Sequence, residues 1–365
     1  MRHVSQEAPP PAAGAAARLR DRLAGVERSP ESVRVGVLRA GVGAVRRGRL
    51  WVTAYVPDLM PPVAIVGGSR PGPVVAIVGG VHGGETASIQ AVRELVGRLR
   101  PDALAGTVIL VPVANVAAFR DRRPFVNPLD GQDLNESFPG AGRGGPTTRL
   151  AHALSEHVLT VADVVIDLHA GELIQAVDEL VLVEAGPSSS PSDAPAAAMD
   201  LAEVFGLARV IVTHQPRSLI AAAQAMGKPA IAAQAAQRGT VSPSAGDALR
   251  DGALRVLAAL GMWPEAPPAA PALQLHAGWA VATSTVDGFW LPAIQVGDRV
   301  QAGQPLGTVD PLDGTGTPAD VSAPADGRVV GVVISLAAAA STALVLIARP
   351  ETAWPGGVDP GPDRG

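Results

Sequence analysis

The sequence contains no cysteine. That absence removes disulfides, thiolate metal ligands and a cysteine nucleophile together, and it fits a reducing compartment. No apolar run approaches the roughly 20 residues that a membrane span needs. The N-terminal segment Met1–Asp21 also lacks the apolar core of a secretory signal, so a cytoplasmic protein is expected. An excess of basic charge is missing too. The formal net charge is −5, which argues against nucleic acid or an anionic membrane as a partner; a small-molecule substrate is the expected partner. There is one tyrosine and one lysine, Lys228, against abundant Ala, Arg, Gly and Pro. This bias looks like coding composition and weakens any argument from Ala-rich stretches. What is present is a 365-residue chain, 47% hydrophobic and 17% charged. Those proportions suit a globular enzyme-sized protein with a large core and room for a second domain.

Residues 1–32, Pro/Ala-rich and then charged, read as a flexible tail with at most one short helix, and structure is expected to begin near Leu50. Val74–Val78 reads as a buried strand. The segment GGVHGGE follows it, then a helical stripe through Ile89, Val92, Leu95, Val96 and Leu99. Further strands are expected at Thr107–Ala114, Val164–Leu168, Leu180–Glu184, Val210–Thr213 and Lys228–Ala233. Helices are expected over Thr148–Val161 and through Leu249, Leu254, Leu257 and Leu260. Alternating strands and helices predict an α/β domain over 33–262, a mostly parallel sheet with helices on both faces, with function gathered outside the carboxyl ends of its strands. WPEAPPAAP at 263–271 reads as a linker. Short strand-like pieces between Gly and Asp turns then predict a small all-β barrel or sandwich over 272–349, with a tail at 350–365.

His82 and Glu85 lie in the loop after a buried strand, at the mouth of a helix, flanked by glycines that let the backbone turn sharply. His169 ends another strand of the same sheet. Three N and O donors from two strand ends suit one divalent metal per chain, zinc by donor type, with a fourth position left open as catalytic sites require. An HxxE pair alone arises often by chance; the third histidine in a matching context is what gives it weight. Asp167 shares a strand face with His169 and either orients it or is a solvated carboxylate.

GGVHGGE, the segment from Asn115 through NPLDGQDLNESFPG, IDLHAG and GKPAIAAQAAQRG resemble the succinylglutamate desuccinylase/aspartoacylase family, within the zinc carboxypeptidase superfamily. The likeness runs from about Arg70 to the C-terminus. It implies a zinc carboxypeptidase-like fold, hydrolysis of amide bonds in acylated amino acids, and zinc held by His82, Glu85 and His169. It also implies an arginine that polarises the scissile carbonyl, with Arg122 the best match and Arg123 the alternate, either of which is otherwise a solvated loop cation. Asn135 matches a substrate-binding position.

Two positions depart from the family pattern. Glu136 stands where an arginine clamps a substrate carboxylate, so the recognised group is expected to be cationic or neutral, unless Glu136 turns out to solvent. Gln234 stands where the family has its glutamate base; Gln can orient a water but cannot take its proton. Glu136 and Glu172 are the candidate replacements, and Glu172 equally reads as a solvated loop carboxylate. Two readings stay open. One is a zinc-dependent amide hydrolase with altered recognition. The other is a zinc protein that no longer hydrolyses, either an inactive homologue or a Lewis-acid catalyst of condensation, elimination or cyclisation. A homo-oligomer is compatible with both. The polar loop Gly186–Pro195 either overhangs the site or merely connects.

Overall fold

The computed structural model describes residues 11–52, 59–186, 193–235, 239–240, 242–268 and 273–350. In chain order the first elements are α1 (Pro11–Arg22), β1 (Arg34–Val35), β2 (Leu38–Arg39), β3 (Ala44–Arg49), β4 (Pro62–Gly67), β5 (Arg70–Gly79), α2 (Thr86–Arg98), β6 (Ala105–Val111) and α3 (Val116–Asp121). Next come α4 (Pro146–Leu154), β7 (Val164–His169), β8 (Gln175–Val177), β9 (Leu180–Glu184), α5 (Ala194–Phe205), β10 (Arg209–Thr213), α6 (Leu219–Ala225), β11 (Ala230–Gln234) and α7 (Pro243–Ala259). The remainder is all β: β12 (Gln274–His276), β13 (Trp279–Thr283), β14 (Gly288–Pro292), β15 (Arg299–Val300), β16 (Pro305–Asp310), β17 (Ala319–Ser322), β18 (Gly327–Val333), β19 (Ala337–Ala338) and β20 (Ala343–Ala348).

Successive side chains of a strand point to opposite faces, so a β-branched run feeds two cores at once. In β5, Val75 and Ile77 enter the core beneath α1, α2, α5 and α7, while Val74, Ala76 and Val78 enter the one beneath α4 and α6. The central sheet has the strand order β12-β10-β9-β11-β7-β5-β6-β4-β3. Its middle strands β6, β5, β7 and β11 are parallel; β9, β10 and β12 are parallel to one another but run against β11, and β4 and β3 are antiparallel. The protein is thus α/β with a largely parallel sheet covered on both faces. The carboxyl ends of β5, β7 and β11 meet on one edge, and the loops leaving them build the site.

Several boundaries differ from those read in the sequence. The expected flexible tail contains α1, whose Ala15 and Leu19 are fully buried and whose Arg18 bonds Asp200 at 2.8 Å. The one short helix allowed for there is docked and not loose, held in part by a partner 182 positions away that alanine-rich composition could not announce. Structure starts before Leu50, since β3 already pairs with β4. In the expected linker, Trp263 is buried in the main core and the preceding Met262 carbonyl accepts the Ala105 amide. The C-terminal region forms two antiparallel sheets, β13-β20-β18-β15 and β17-β16-β14-β19, closed on a core around Trp290 and Leu306. It is stitched to the α/β part twice: β12 joins the central sheet beside β10, and β8 pairs with β18. Residues 187–192 of the polar loop, 269–271 of the linker, and both chain ends (1–10 and 351–365) lie outside the described residues.

Candidate active site

The loop after β5 is tight for a steric reason. A Cβ on Gly83 would strike the Ala118–Phe119 backbone of α3, and one on Gly84 would strike the Glu172 carboxylate. Only glycine lets His82 and Glu85 come this close to β7. Glu85 is the N-cap of α2 but makes no side-chain cap bond, so its carboxylate turns inward. The imidazole Nδ1 of His82 lies 2.9 Å from Glu85 Oε1, and that of His169 lies 3.4 Å from Oε1 and 3.1 Å from Oε2. All three residues are buried, and one ligand atom from each falls within 4.8 Å of the others.

Each imidazole turns its other nitrogen to a second carboxylate. His82 Nε2 is 3.2 Å from Asp133 Oδ1, and His169 Nε2 is 2.8 Å from Asp167 Oδ2. This is the arrangement that orients metal-binding histidines and raises their basicity. Asp133 is itself fixed by the Asn135 amide at 2.7 Å.

The three donors lie close enough together to hold a divalent ion. Glu85 Oε2 is buried with no hydrogen bond, although His169 Nδ1 lies 3.1 Å away, so a buried carboxylate oxygen is left with its hydrogen-bonding capacity unused. Two nitrogens and a carboxylate oxygen form a hard-to-borderline donor set suited to a divalent ion. In the metal-free chain, charge compensates inside the cluster. Burial pulls the His82 imidazole down, but the Glu85 charge and the bonds to Asp133 and Glu85 outweigh it and push it up to about 10. His169 is likewise raised well above its ordinary value against burial, by Asp167 first and then Glu85. Burial raises the Glu85 carboxyl, yet His169 and His82 hold it down at about 2.

The cluster forms the floor of a cavity of about 890 Å³. Asn135, Glu136 and Gln234 all line it, as do Asp133 and Asp167. Gln234 is the register partner of His169 on the neighbouring parallel strand, so it sits beside the metal cluster. The C-terminal sheets supply one wall through Trp279, Val333, Thr342 and Leu346.

Three of the sequence candidates lie off the cavity lining. Arg122 and Arg123 cap and leave α3 with exposed side chains and do not line the cavity; Arg122 adopts φ 52° to end that helix. Glu172 is buried but is not a lining residue. Its Oε1 accepts the Gly84 and Phe125 amides, each at 3.2 Å, and its Oε2 accepts the Leu173 amide at 3.1 Å. Burial, then the Glu85 charge, push it up, and the Phe125 and Leu173 amides partly offset them. Glu172 is therefore the peg on which the His82–Glu85 loop hangs, with both of its oxygens engaged by backbone amides.

Sequence reasoning overlooked Asp133, although it opens the DLNESFPG segment, and Arg217. The Arg217 carbonyl accepts the Phe138 amide at 3.1 Å and the nearby Leu219 amide bonds Asn135 Oδ1, also at 3.1 Å. These bonds latch the Gln215–Ser218 loop onto the 133–138 turn and bring Arg217 to the cavity. No local pattern around Arg217 announces this; it depends on a contact between two loops.

A model of the succinylglutamate desuccinylase/aspartoacylase catalytic domain matches residues 71–260. The chain belongs to that family. The matched region carries His82, Glu85, His169 and Gln234, and the family's fold is the one described above. Among curated relatives, an N-alpha-acetyl-L-2,4-diaminobutyric acid deacetylase of Halomonas elongata is 38% identical over 113 residues, which is 31% of this chain and 32% of that protein. The ectoine utilization protein EutE (DoeB) of Ruegeria pomeroyi, solved with product bound, superposes with a TM-score of 0.77 at 21% identity, covering 88% of this chain and 100% of that one. A succinylglutamate desuccinylase/aspartoacylase structure from Rhodobacter sphaeroides gives 0.72 at 24% identity, with 84% and 96% covered. At these identities the two superpositions speak for the shared fold. No described helix is long and apolar enough to cross a membrane.

Proposed function

We propose that the protein is a zinc-dependent amide hydrolase that deacylates a small amino-acid-like metabolite bearing a positively charged amine. The observation that carries this reading is one cavity holding the His82–Glu85–His169 cluster on its floor and two charges, Glu136 and Arg217, that pair neither with each other nor with any other described residue. The named relative, a deacetylase of an acetylated diamino acid, agrees with an anionic recognition group for an amine.

When bound by such a donor set, zinc supplies Lewis acidity, acidifying water and polarising a carbonyl. The chain's own residues do the rest. Asp133 and Asp167 hold the two imidazoles in orientation. Gln234, beside His169, hydrogen-bonds and orients the attacking water without taking its proton. Arg217 takes the place proposed from sequence for Arg122, offering a planar guanidinium to a carboxylate or to a carbonyl oxygen gaining charge. Four carboxylates line the cavity: Glu85, Asp133, Glu136 and Asp167. Glu136 alone among them has no histidine contact, so it is the group free to hold the substrate amine or to accept the proton.

Steady-state kinetics on N-acetyl-2,4-diaminobutyrate with Glu136→Gln separates these tasks. Loss of amine recognition raises KM with kcat little changed, whereas loss of a base lowers kcat by about 10²- to 10⁴-fold. Arg217→Ala raises KM in the same assay. A protein that hydrolyses neither this compound nor other N-acyl amino acids with zinc bound overturns the hydrolase reading in favour of the non-hydrolytic one, which Gln234 favours.

A further inference from the structure

A second cavity, of about 720 Å³, opens between the central sheet and the C-terminal sheets. Register places it on the same sheet edge as the metal cluster: His169 pairs with Gln234, Gln234 with Leu180, Leu180 with Arg209, and Arg209 with Gln274. Arg209 is three strand spacings, about 14 Å, from His169. The two cavities share no lining residue.

Four arginines line this cavity: Arg209 at the start of β10, Arg299 on β15, Arg328 on β18 and Arg349 just past β20. Arg299 and Arg328 are direct cross-strand partners. Like charges so placed destabilise a sheet, and folding alone supplies no reason for them. The nearby carboxylates do not neutralise the group. Asp178 is shared, 2.6 Å from Arg209 Nη2 and 3.3 Å from Arg328 Nε. Asp326 lines the cavity but accepts the Ala302 amide at 2.7 Å. Arg299 and Arg349 have no side-chain partner among the described residues. Two further polar atoms of lining residues are buried and unbonded: Arg209 Nε and Nε2 of His276, a residue more than nine-tenths buried whose Nδ1 lies 2.7 Å from the Arg349 carbonyl.

We propose that this cavity is a second ligand site, for a small polyvalent oxyanion such as phosphate or a di- or tricarboxylate. Guanidinium forks match the paired oxygens of both, and two or more negative charges balance the surplus of four arginines over Asp178 and Asp326. The site stands independently of the deacylase reading. It also reaches the first cavity through the chain: Asp178 follows β8, and Gln175 at the start of β8 lines the metal cavity.

The test is calorimetric titration of the full chain with inorganic phosphate and, separately, with citrate, at ionic strength held constant with sodium chloride. The expected result is saturable 1:1 binding of at least one of them with a Kd of about 1 mM or tighter. The arm that binds identifies the source of the oxyanion. Arg299→Gln combined with Arg349→Gln is expected to weaken that binding at least tenfold. Both side chains are exposed and have no side-chain partner among the described residues, so folding should survive, as the thermal midpoint will report; Arg349→Gln alone serves if the double variant unfolds. Glu136→Gln, in the other cavity, should leave this binding unchanged. Heat no larger than that of chloride, or binding that survives loss of the arginines, overturns the proposal.

Discussion

On the floor of the metal cavity every charged group already has a partner: His82 lies between Glu85 and Asp133, and His169 between Glu85 and Asp167. On the rim, Glu136 and Arg217 are exposed and have no partner among the described residues. The floor is built from the ends of rigid strands and a helix start, the rim from loops latched to each other by main-chain bonds. Buried charges persist only when compensated, so the floor tolerates almost no change. Exposed charges cost little to keep or exchange, so the rim can change while the buried cluster stays.

The largest effect belongs to the floor. His169→Ala or His82→Ala leaves two protein ligands, and zinc affinity measured by chelator competition should fall by orders of magnitude. A His82→Ala/His169→Ala protein that still purified with stoichiometric zinc would erase the distinction between floor and rim.

Proton competition should come next. The neighbouring carboxylates raise both imidazoles well above their usual range, His82 up to about 10. A metal must displace their protons, so affinity rises with pH until the raised values are passed and falls as pH drops. Each pH unit is worth up to about tenfold per proton displaced, hence about a hundredfold for two. A pH-independent zinc affinity between neutrality and pH 9 would mean that both imidazoles are already unprotonated at neutrality and that the carboxylates do not hold their protons on.

Gln234→Glu sharpens the comparison from the floor side. The change is nearly isosteric, and an anion beside a cation stays ionised. It should raise kcat/KM for a simple N-acyl amino acid by at least about tenfold, by placing a proton acceptor beside His169. If zinc and substrate bind normally and the rate does not move, a rim carboxylate is already the base. The smallest effect is expected for Arg122→Ala and Arg123→Ala. Both are exposed off the cavity, and kcat/KM should stay within about twofold of the unaltered protein.

Local pattern carried much of the architecture. The β-branched runs of β5, β7 and β9 were legible because parallel buried strands need apolar residues on both faces. The closeness of His82, Glu85 and His169 was legible because each sits in or just after such a run. Where pattern failed, the deciding partner was distant in sequence. Helix α1 looked like a tail until α5 buried Leu19. Arg122 ends α3 in the left-handed conformation with an exposed side chain, off the cavity that loops from elsewhere complete. Glu172 was read as a spare carboxylate, while the amides of Gly84, Phe125 and Leu173 use its oxygens.

The sequence by itself determined that the chain folds as strands alternating with helices, that it has no thiolate chemistry, and that Gln and Glu stand at positions 234 and 136. Those properties reside in residue identity and short-range periodicity. The tertiary structure decided which charges meet. It paired Asp133 with His82, brought Arg217 to the rim, engaged Glu172 with backbone amides, and gathered arginines from β10, β15, β18 and the end of β20 around a second cavity. Each of these depends on chain crossings that bring distant segments within a few ångströms, a distance over which electrostatic and hydrogen-bond energies change steeply and about which local sequence says nothing.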